Sequence, residues 1–393
     1  MIDIMELGGG YVRDPYPYYA EMGGRAPVVK VRLPDGSETW YVLGHAAARA
    51  ALNDARLVKD WRKAPLDPAP AHGSLLGPNL LEVDPPEHTR LRKLVARAFT
   101  QRRVAALEPR VQQITDELLD DMLGEPGRRA DLVDALAFPL PITVICELLG
   151  VPFLDREAFR AWSNDILDAQ GPEAEELAAA ELRAYLLGLI ATKREQPGDD
   201  LLSELIRTHD EDGARLSPDE LVGMAFLLLV AGHETTVNLL SNATLALLQH
   251  PDELAALRAD PALLDGAVEE TLRYDSPVER ATVRYAREPV AFGGAVIPAG
   301  DSVIVVLGSA GRDPERWPDP DRFDIRRPVR SHLSFGHGPH FCIGAPLARL
   351  EARVALGALL RRCPGLALDV PPQQLRWRLS HVVRGPESLP VRW

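Results

Sequence analysis

The feature that most limits how this chain can fold is a run of about 33 residues without a helix breaker, which ends at His250-Pro251. It begins at SPDE, residues 217–220, where the serine can cap a helix, the proline suits the first helical position and the glutamate completes a capping box. At about 1.5 Å per residue the predicted helix is roughly 50 Å long, enough to cross the whole molecule. Its middle, MAFLLLVAG, is apolar on every side, which indicates that the helix is buried.

The rest of the sequence predicts a mainly α protein with a minor β part. VVKVRL and ETWYVL flank a Pro-Asp-Gly turn at residues 34–36 and alternate in polarity, as the strands of a hairpin do. Residues 87–206 have a mostly helical pattern, and further helices are expected near residues 263–274 and after Pro346. Residues 286–306 indicate short strands and turns.

The net charge and the apolar runs argue against several classes of partner. The 393 residues carry a net charge of −13, which disfavours binding to nucleic acid or to an anionic membrane. No apolar run approaches the roughly 20 residues that span a bilayer. The first residues, MIDIMELGGG, lack the basic and then apolar layout of a signal peptide. We therefore expect a cytoplasmic protein with no nucleic-acid or membrane partner.

Polar residues interrupt the apolar helix at AGHETT, residues 231–236. A helical glycine costs about 1 kcal/mol relative to alanine, and a carboxylate is expensive to bury without a partner. His233 and Glu234 begin the HExxH pattern of zinc proteases, but Val237 stands where the second histidine is needed. Two interpretations stay open. Glu234 and Thr235 relay protons beside a reaction centre, or the threonines bond to carbonyls one turn earlier while Glu234 forms a salt bridge.

A second pattern places a carboxylate and a guanidinium on one helix face, at Glu270 and Arg273. Such pairs are commonplace on helix surfaces, where they contribute a few tenths of a kcal/mol. Arg322, in PERWPDPDRF, is a candidate for a second arginine near this carboxylate.

The third pattern is FGHGPHFCIG, residues 335–344, which contains one of only three cysteines. Zinc bound by His337, His340 and Cys342 is conceivable, but no fourth ligand lies at a familiar spacing. A structural disulfide is improbable in a reducing compartment. A phosphate loop needs glycine at Phe341, and nothing local specifies the base that a cysteine nucleophile needs.

A thiolate bound to a metal fits these residues better. Cys342 lies just before a predicted helix, whose positive N-terminal end favours the thiolate. The surrounding glycines allow a flat macrocycle to approach the backbone, and Phe335 can shield the sulfur from water. Haem iron is the partner most consistent with one thiolate and no companion ligand.

Together the three patterns resemble the cytochrome P-450 superfamily of haem-thiolate monooxygenases. The cysteine loop matches the family pattern at every specified position, and AGHETT matches the oxygen-activating helix, with glutamate where many members have aspartate. The resemblance implies a single domain over residues 1–393, mainly α with a minor β part, with the long central helix over a haem b group. Haem-binding roles then fall, by position, on His88, Arg92, Ala231, Gly232, Arg284, Phe335, Gly336, His340, Cys342 and Gly344.

Within that set the resemblance makes Cys342 the proximal iron ligand and leaves room for O2 at Gly232. It implies proton delivery by Glu234 and Thr235. It also implies a network of Glu270, Arg273 and an arginine such as Arg322 that braces the cysteine loop.

The implied reaction inserts one atom of O2 into a C–H or C=C bond of a hydrophobic small molecule. Electrons would come from NAD(P)H through a ferredoxin and a ferredoxin reductase, with docking expected at Arg97, Arg102, Arg103, Arg349 and Arg353. The chain is most similar to bacterial members that oxidise macrolides and related polyketides in secondary metabolism. A steroid, terpenoid or fatty acid is the alternative substrate, and a haem protein that binds ligands without turnover is the alternative class. Substrate contacts are expected at Val230, Ala231, Val278, Val283 and Val382.

Overall fold

The computed structural model describes residues 1–66, 76–96, 99–152, 156–167, 172–211 and 216–393. Its internal contacts divide the chain into two compact units, each built from separate stretches of sequence. Unit 1 comprises Met1–Ala69, Asn238–Cys342 and Leu359–Trp393, and unit 2 comprises Pro70–Val237 and Ile343–Ala358. The prediction of a single domain over residues 1–393 stays a prediction.

Helices make up most of the described chain, which confirms the mainly α fold class. They are α1 (Gly9–Arg13), α2 (Tyr16–Arg25), α3 (His45–Leu52), α4 (Glu87–Ala96), α5 (Gln101–Ala106), α6 (Glu108–Gly124), α7 (Pro139–Leu149), α8 (Arg156–Leu167), α9 (Pro172–Glu195), α10 (Leu201–Glu211), α11 (Pro218–Gln249), α12 (Pro251–Ala259), α13 (Leu264–Tyr274), α14 (Leu307–Gly311) and α15 (Ala345–Arg362). The short 3-10 turns are Met5–Leu7, Trp61–Lys63, Pro261–Leu263, Gly338–His340 and Pro372–Gln374, and one π-helical turn covers Val133–Ala137.

The β part is small. Its strands are β1 (Ile2–Asp3), β2 (Val28–Arg32), β3 (Glu38–Val42), β4 (Leu57–Val58), β5 (Arg129–Asp131), β6 (Arg284–Ala286), β7 (Val290–Phe292), β8 (Ala295–Ile297), β9 (Ser302–Val305), β10 (Ala367–Leu368) and β11 (Pro390–Arg392). Unit 1 contains a six-stranded sheet in the order β1-β2-β3-β9-β6-β4. Strands β2 and β3 form the predicted hairpin, with Val28 opposite Val42, and Gly36 takes the positive φ of 83° that its turn requires.

The long predicted helix is α11, with 32 residues. Its capping box is present: the Glu220 amide donates to Ser217 Oγ at 3.1 Å, and the Ser217 amide donates to Glu220 Oε2 at 2.7 Å. By length and composition alone α11 could cross a membrane, but 67% of its most apolar window is buried inside the protein. That burial is the property of a core helix, as its all-round apolar pattern predicts. The boundary between the two units falls within α11, after Val237.

Candidate active site

The cysteine loop presents the Cys342 side chain at the surface of unit 1. The Cys342 amide donates to the Phe335 carbonyl at 2.8 Å and closes the loop. Gly338 has a φ of +73°, in which a residue with a Cβ would be strained, and a Cβ there would lie 2.7 Å from Asn53 Oδ1. Cys342 is exposed, whereas Cys146 and Cys363 are buried in the core. Cys342 is therefore the cysteine that a bound group can reach.

Two helices of unit 1 anchor this loop. From α13, the Leu272 carbonyl accepts the Ser334 hydroxyl, and Glu269 Oε2 lies 3.1 Å from His332 Nε2. From α3, Arg49 Nε donates to His337 Nε2 at 3.3 Å. Burial and the charge of Arg49 lower the pKa of His337, so it accepts this bond as a neutral imidazole. These contacts hold the cysteine loop against α13 and α3.

Glu270 and Arg273 form a fully buried ion pair on α13. Arg273 Nε and Nη2 each donate to the carboxylate at 2.8 Å. Nη1 donates to the carbonyls of Gly311 at 2.6 Å and Pro320 at 2.7 Å. A buried ion pair is stable when its remaining donors and acceptors are satisfied, and this pair meets that condition.

The prediction that the Arg322 side chain joins this pair is wrong. That side chain is 65% exposed and lies 3.9 Å from Asp324, while the Arg322 backbone carbonyl accepts Arg273 Nη2 at 3.1 Å. The second arginine is Arg327, whose Nε donates to Glu270 Oε1 at 3.2 Å. The backbone turns at Arg322, where its amide donates to Asp319, and this brings its carbonyl rather than its guanidinium to the pair.

Burial is interrupted in the middle of α11. Ala231 is exposed and Thr235 is half-buried, as is Leu227 one turn earlier, so positions four apart form an open strip on one helix face. Val230 belongs to the buried core. Val230 lies about 100° around the helix from Ala231, and its contact with a substrate stays a prediction.

Gly232 has a packing role that the sequence did not indicate. A Cβ at this position would lie 2.9 Å from both Cγ1 and Cδ1 of Ile145 on α7. The glycine therefore lets α7 and α11 approach closely within unit 2. Room for O2 at Gly232 stays a prediction.

The acid and the hydroxyl of AGHETT differ in their surroundings. Thr235 Oγ1 donates to the Ala231 carbonyl at 2.9 Å, the bond one turn back that the second interpretation expected. Glu234 is buried, and its Oε1 accepts Ser163 Oγ at 3.0 Å and lies 3.2 Å from His233 Nε2. The contact of Ser163 with Glu234 was not predicted, because no sequence pattern connects α8 to a residue 71 positions away.

The histidines and arginines that were predicted to bind the haem group occur in both units. In unit 2, His88 is buried on α4 with the half-buried Arg92 one turn later, and burial together with the charge of Arg92 lowers the pKa of His88. In unit 1, Arg284 is buried in β6 opposite Val303, and His340 is half-buried in the cysteine loop. Gly344 directly precedes α15, and its carbonyl accepts the Ala348 amide at 3.0 Å.

Two of the predicted substrate contacts in unit 1, Val278 and Val382, lie on neighbouring backbone. Val278 pairs with Val383 in a β-bridge, and the Val382 carbonyl accepts the Glu279 amide at 2.9 Å. Val278, Val283 and Val382 are all half-buried, so they offer apolar surface.

The predicted docking patch for a redox partner is partly neutralised. Arg103 pairs with Glu204 at 2.7 Å and Arg353 pairs with Glu108 at 3.1 Å. Arg97 lies outside the described residues. The arginines alone therefore do not define a strongly basic surface.

The donor set fits haem better than zinc. In the part of the chain that the structure describes, no three His, Cys, Asp or Glu side chains are placed to hold a metal ion together. An exposed thiol in a glycine loop, with the buried Arg284 and the half-buried His340 in the same unit, would instead suit an anionic macrocycle whose iron binds one sulfur. These features define the haem-thiolate class of proteins.

Comparisons with known proteins place the chain within that class. A family model described as Cytochrome P450 matches residues 25–388, and the chain belongs to this family. The cytochrome P450 monooxygenase PikC of Streptomyces venezuelae is 59% identical over 395 residues, which cover 100% of this chain and 94% of that protein. The 6-deoxyerythronolide B hydroxylase of Saccharopolyspora erythraea is 48% identical, and the alignment covers 96% of each protein. The solved structure of the tirandamycin C-bound P450 monooxygenase TamI has a TM-score of 0.92 at 44% identity and covers 100% of both chains.

The resemblance drawn from the three motifs is thereby confirmed. The chain is a cytochrome P450 monooxygenase, homologous to macrolide and polyketide hydroxylases. Its family uses a haem-thiolate cofactor, O2, redox partners and hydrophobic substrates. The alternative of a haem protein without turnover is not supported by these relatives.

Proposed function

We propose that this monooxygenase oxidises a C–H or C=C bond of a macrolide or related polyketide in secondary metabolism. The observation that carries the proposal is the open strip of α11, where Leu227, Ala231 and Thr235 leave a buried helix accessible over two turns. Small and apolar side chains along a strip suit a bulky apolar ring. The identity to PikC and to 6-deoxyerythronolide B hydroxylase, over nearly the whole chain, supports the same substrate class.

The proposed cofactor is haem b, which when bound supplies the binding and activation of O2. Cys342 would ligate the iron through its sulfur, in a loop already closed by the Phe335 carbonyl. His88, Arg92, Arg284 and His340 would bind the propionates, because cationic and N–H donors pair well with carboxylates.

Protons would reach the reaction through α11. Glu234 is buried with hydrogen-bonding neighbours, so it can hold a proton away from water. Thr235 Oγ1 gives its own hydrogen to the Ala231 carbonyl, which leaves its lone pairs able to accept a proton from a neighbour. A ferredoxin and a ferredoxin reductase are the proposed electron donors, and the cytoplasm, where NAD(P)H is available, is the proposed location.

The test is a spectroscopic screen of the haem-loaded protein with macrolides, steroids, terpenoids and fatty acids. We expect a macrolide to convert the haem iron from low to high spin, which shifts the Soret band. The same macrolide should yield a product one oxygen atom heavier. Leu227→Trp should weaken that shift about tenfold, since it fills the strip. Leu187→Trp, on an exposed face of α9, is the matched control and should change nothing.

Two outcomes would correct the proposal separately. A spin shift with a steroid or fatty acid and with no macrolide would replace the substrate class. If the reduced protein with carbon monoxide lacked the strongly red-shifted Soret band of thiolate ligation, the role of Cys342 would be wrong instead.

A further inference from the structure

The histidine of AGHETT has a bonding pattern that fixes where its hydrogens lie. His233 is 1% exposed, and its Nδ1 lies 2.7 Å from the Leu229 carbonyl. A carbonyl oxygen only accepts hydrogen bonds, so Nδ1 must carry a hydrogen. If the ring were neutral, Nε2 would then have only a lone pair.

That Nε2 lies 3.2 Å from Glu234 Oε1, which is also buried. An ionised carboxylate is acceptor-only. A bare Nε2 facing a carboxylate would place two lone pairs together where water cannot screen them, which is costly at low local dielectric. A proton must therefore lie between the two atoms, on Nε2 or on Oε1.

Ser163 is placed to serve either arrangement of this proton. Its Oγ lies 3.0 Å from Glu234 Oε1 and 3.3 Å from His233 Nε2. When Nε2 carries the proton, the serine oxygen can accept from it while the hydroxyl donates to the carboxylate. On another side, the Phe138 ring meets the imidazole edge-on at 5.9 Å. The guanidinium of Arg160, paired with Asp134, lies over that Phe138 ring.

We propose that His233 and Glu234 share one buried proton. In this proposal His233 is a positioning residue that keeps a proton available at Glu234 for delivery. The inference rests on the proposed role of Glu234 as proton carrier. With the shared proton the pair is neutral overall, so it can stay loaded in a buried site without a net charge.

The shared proton can meet the proton requirement of the reaction. Oxidation of R–H by O2 consumes two electrons and two protons and gives R–OH and water. For each proton, the Glu234 O–H bond breaks as the proton passes through the Thr235 hydroxyl to the oxygen atom that leaves as water. The pair is left briefly as a carboxylate and a neutral imidazole, the costly arrangement that takes up a new proton. One proton from solvent restores it, so the pair is emptied and refilled twice per turnover.

The shared proton can be tested in the haem-loaded protein without turnover. His250, directly after the last residue of α11, is a matched control, because its Nδ1 makes the same bond one turn back, to the Ala246 carbonyl at 2.8 Å. In nitrogen-15 histidine spectra at pH 8 we expect the His250 Nε2 to be bare. His233 should instead show a protonated Nε2, identified by its loss in His233→Gln, or Glu234 should show a protonated-carboxyl infrared band that Glu234→Gln removes. A bare Nε2 on His233 with no such band would overturn the inference.

Turnover supplies the second test. We expect His233→Gln to lower kcat about tenfold with KM unchanged, which is less than the about 10²- to 10⁴-fold due to general acid–base catalysis because the variant keeps Glu234 itself. Product per NADPH should fall and the solvent isotope effect should rise, which a purely structural role would not cause. Ser163→Ala should do the same more weakly, and Thr244→Val, elsewhere on α11, should stay within about twofold.

The outcomes separate the inference from the proposed function. If Glu234→Gln is impaired but both His233→Gln and Ser163→Ala retain wild-type coupling and isotope effects, His233 has no such role and Glu234 keeps its own. If Glu234→Gln is itself fully coupled, the proposed proton carrier is wrong.

Discussion

Two glutamates in the core of this protein are bonded in opposite ways. Glu270, in unit 1, is bound by Arg273 at 2.8 Å through two nitrogens, by Arg327 at 3.2 Å and by the Asp324 amide at 2.9 Å. Glu234, in unit 2, has a histidine and a serine as neighbours, at 3.2 and 3.0 Å. Both carboxyl groups are buried.

The difference lies in what the neighbours can do with a proton. An arginine stays protonated in proteins, so its hydrogen bonds to Glu270 can only be kept or broken. A histidine and a serine can each exchange a hydrogen with a carboxylate, so the bonds of Glu234 can be rearranged. The first arrangement fixes the backbone around the cysteine loop, and the second allows a proton to move.

The largest expected effect comes from removing the fixed carboxylate. We expect Glu270→Ala to lower the free energy of unfolding by about 3–5 kcal/mol, because Arg273 would keep a buried charge without its partner. Glu234→Ala should lower it by only about 1–2 kcal/mol, since its neighbours include a hydroxyl and a group that can lose its charge. Chemical denaturation of the haem-loaded proteins, followed by circular dichroism and Soret absorbance, measures both. Equal losses in the two variants would contradict the comparison.

A smaller effect distinguishes the two arginines near Glu270. We expect Arg327→Ala to cost about 2–3 kcal/mol, since it removes a charged donor from a buried carboxylate. Arg322→Ala is the matched control and should stay within about 0.5 kcal/mol, because its side chain lies at the surface and only its carbonyl serves the pair. A larger loss for Arg322→Ala than for Arg327→Ala in the same denaturation experiment would restore the original assignment from the sequence.

Local patterns predicted the elements well because their physics is local. The capping box at Ser217 and Glu220, the hairpin at residues 28–42 and the helix at residues 264–274 each depend on contacts between residues near in sequence. The three motifs also identified the family. A local pattern can be identified from neighbouring residues alone, and the structure contains the elements that these patterns predicted.

The errors concern contacts between distant residues. Among Arg322, Arg326 and Arg327, the sequence cannot show which guanidinium faces inward, because that depends on a turn that tertiary packing sets. Ser163 reaches Glu234 from another helix, and Gly232 meets Ile145 in the same way. Such residues carry no spacing signal, and a structure is needed to find them.

A third buried carboxylate, Glu351 on α15, extends the comparison. Among the described residues it has fewer hydrogen bonds than either of the others. It is 1% exposed, and in the described part of the chain its Oε2 accepts no hydrogen bond. Burial raises the pKa of Glu351 from 4.5 to about 8, so near neutral pH it is uncharged in the folded protein.

The smallest expected effect is the contribution of Glu351 to the pH dependence of stability. Between the unfolded pKa of 4.5 and the folded pKa of about 8, the folded state keeps a proton that the unfolded state has lost. The stability due to Glu351 is therefore complete below pH 4.5 and falls as pH rises, by at most about 1.4 kcal/mol per pH unit. Glu351→Gln lacks this dependence, so its Tm relative to wild type should rise between pH 6.5 and 7.5, by the equivalent of about 1 kcal/mol. Glu108→Gln, at an exposed ion pair, is the control and should follow wild type. Parallel Tm curves for wild type and Glu351→Gln would show that Glu351 is already ionised in the folded protein. Its carboxylate would then be bound by a partner as strongly as that of Glu270.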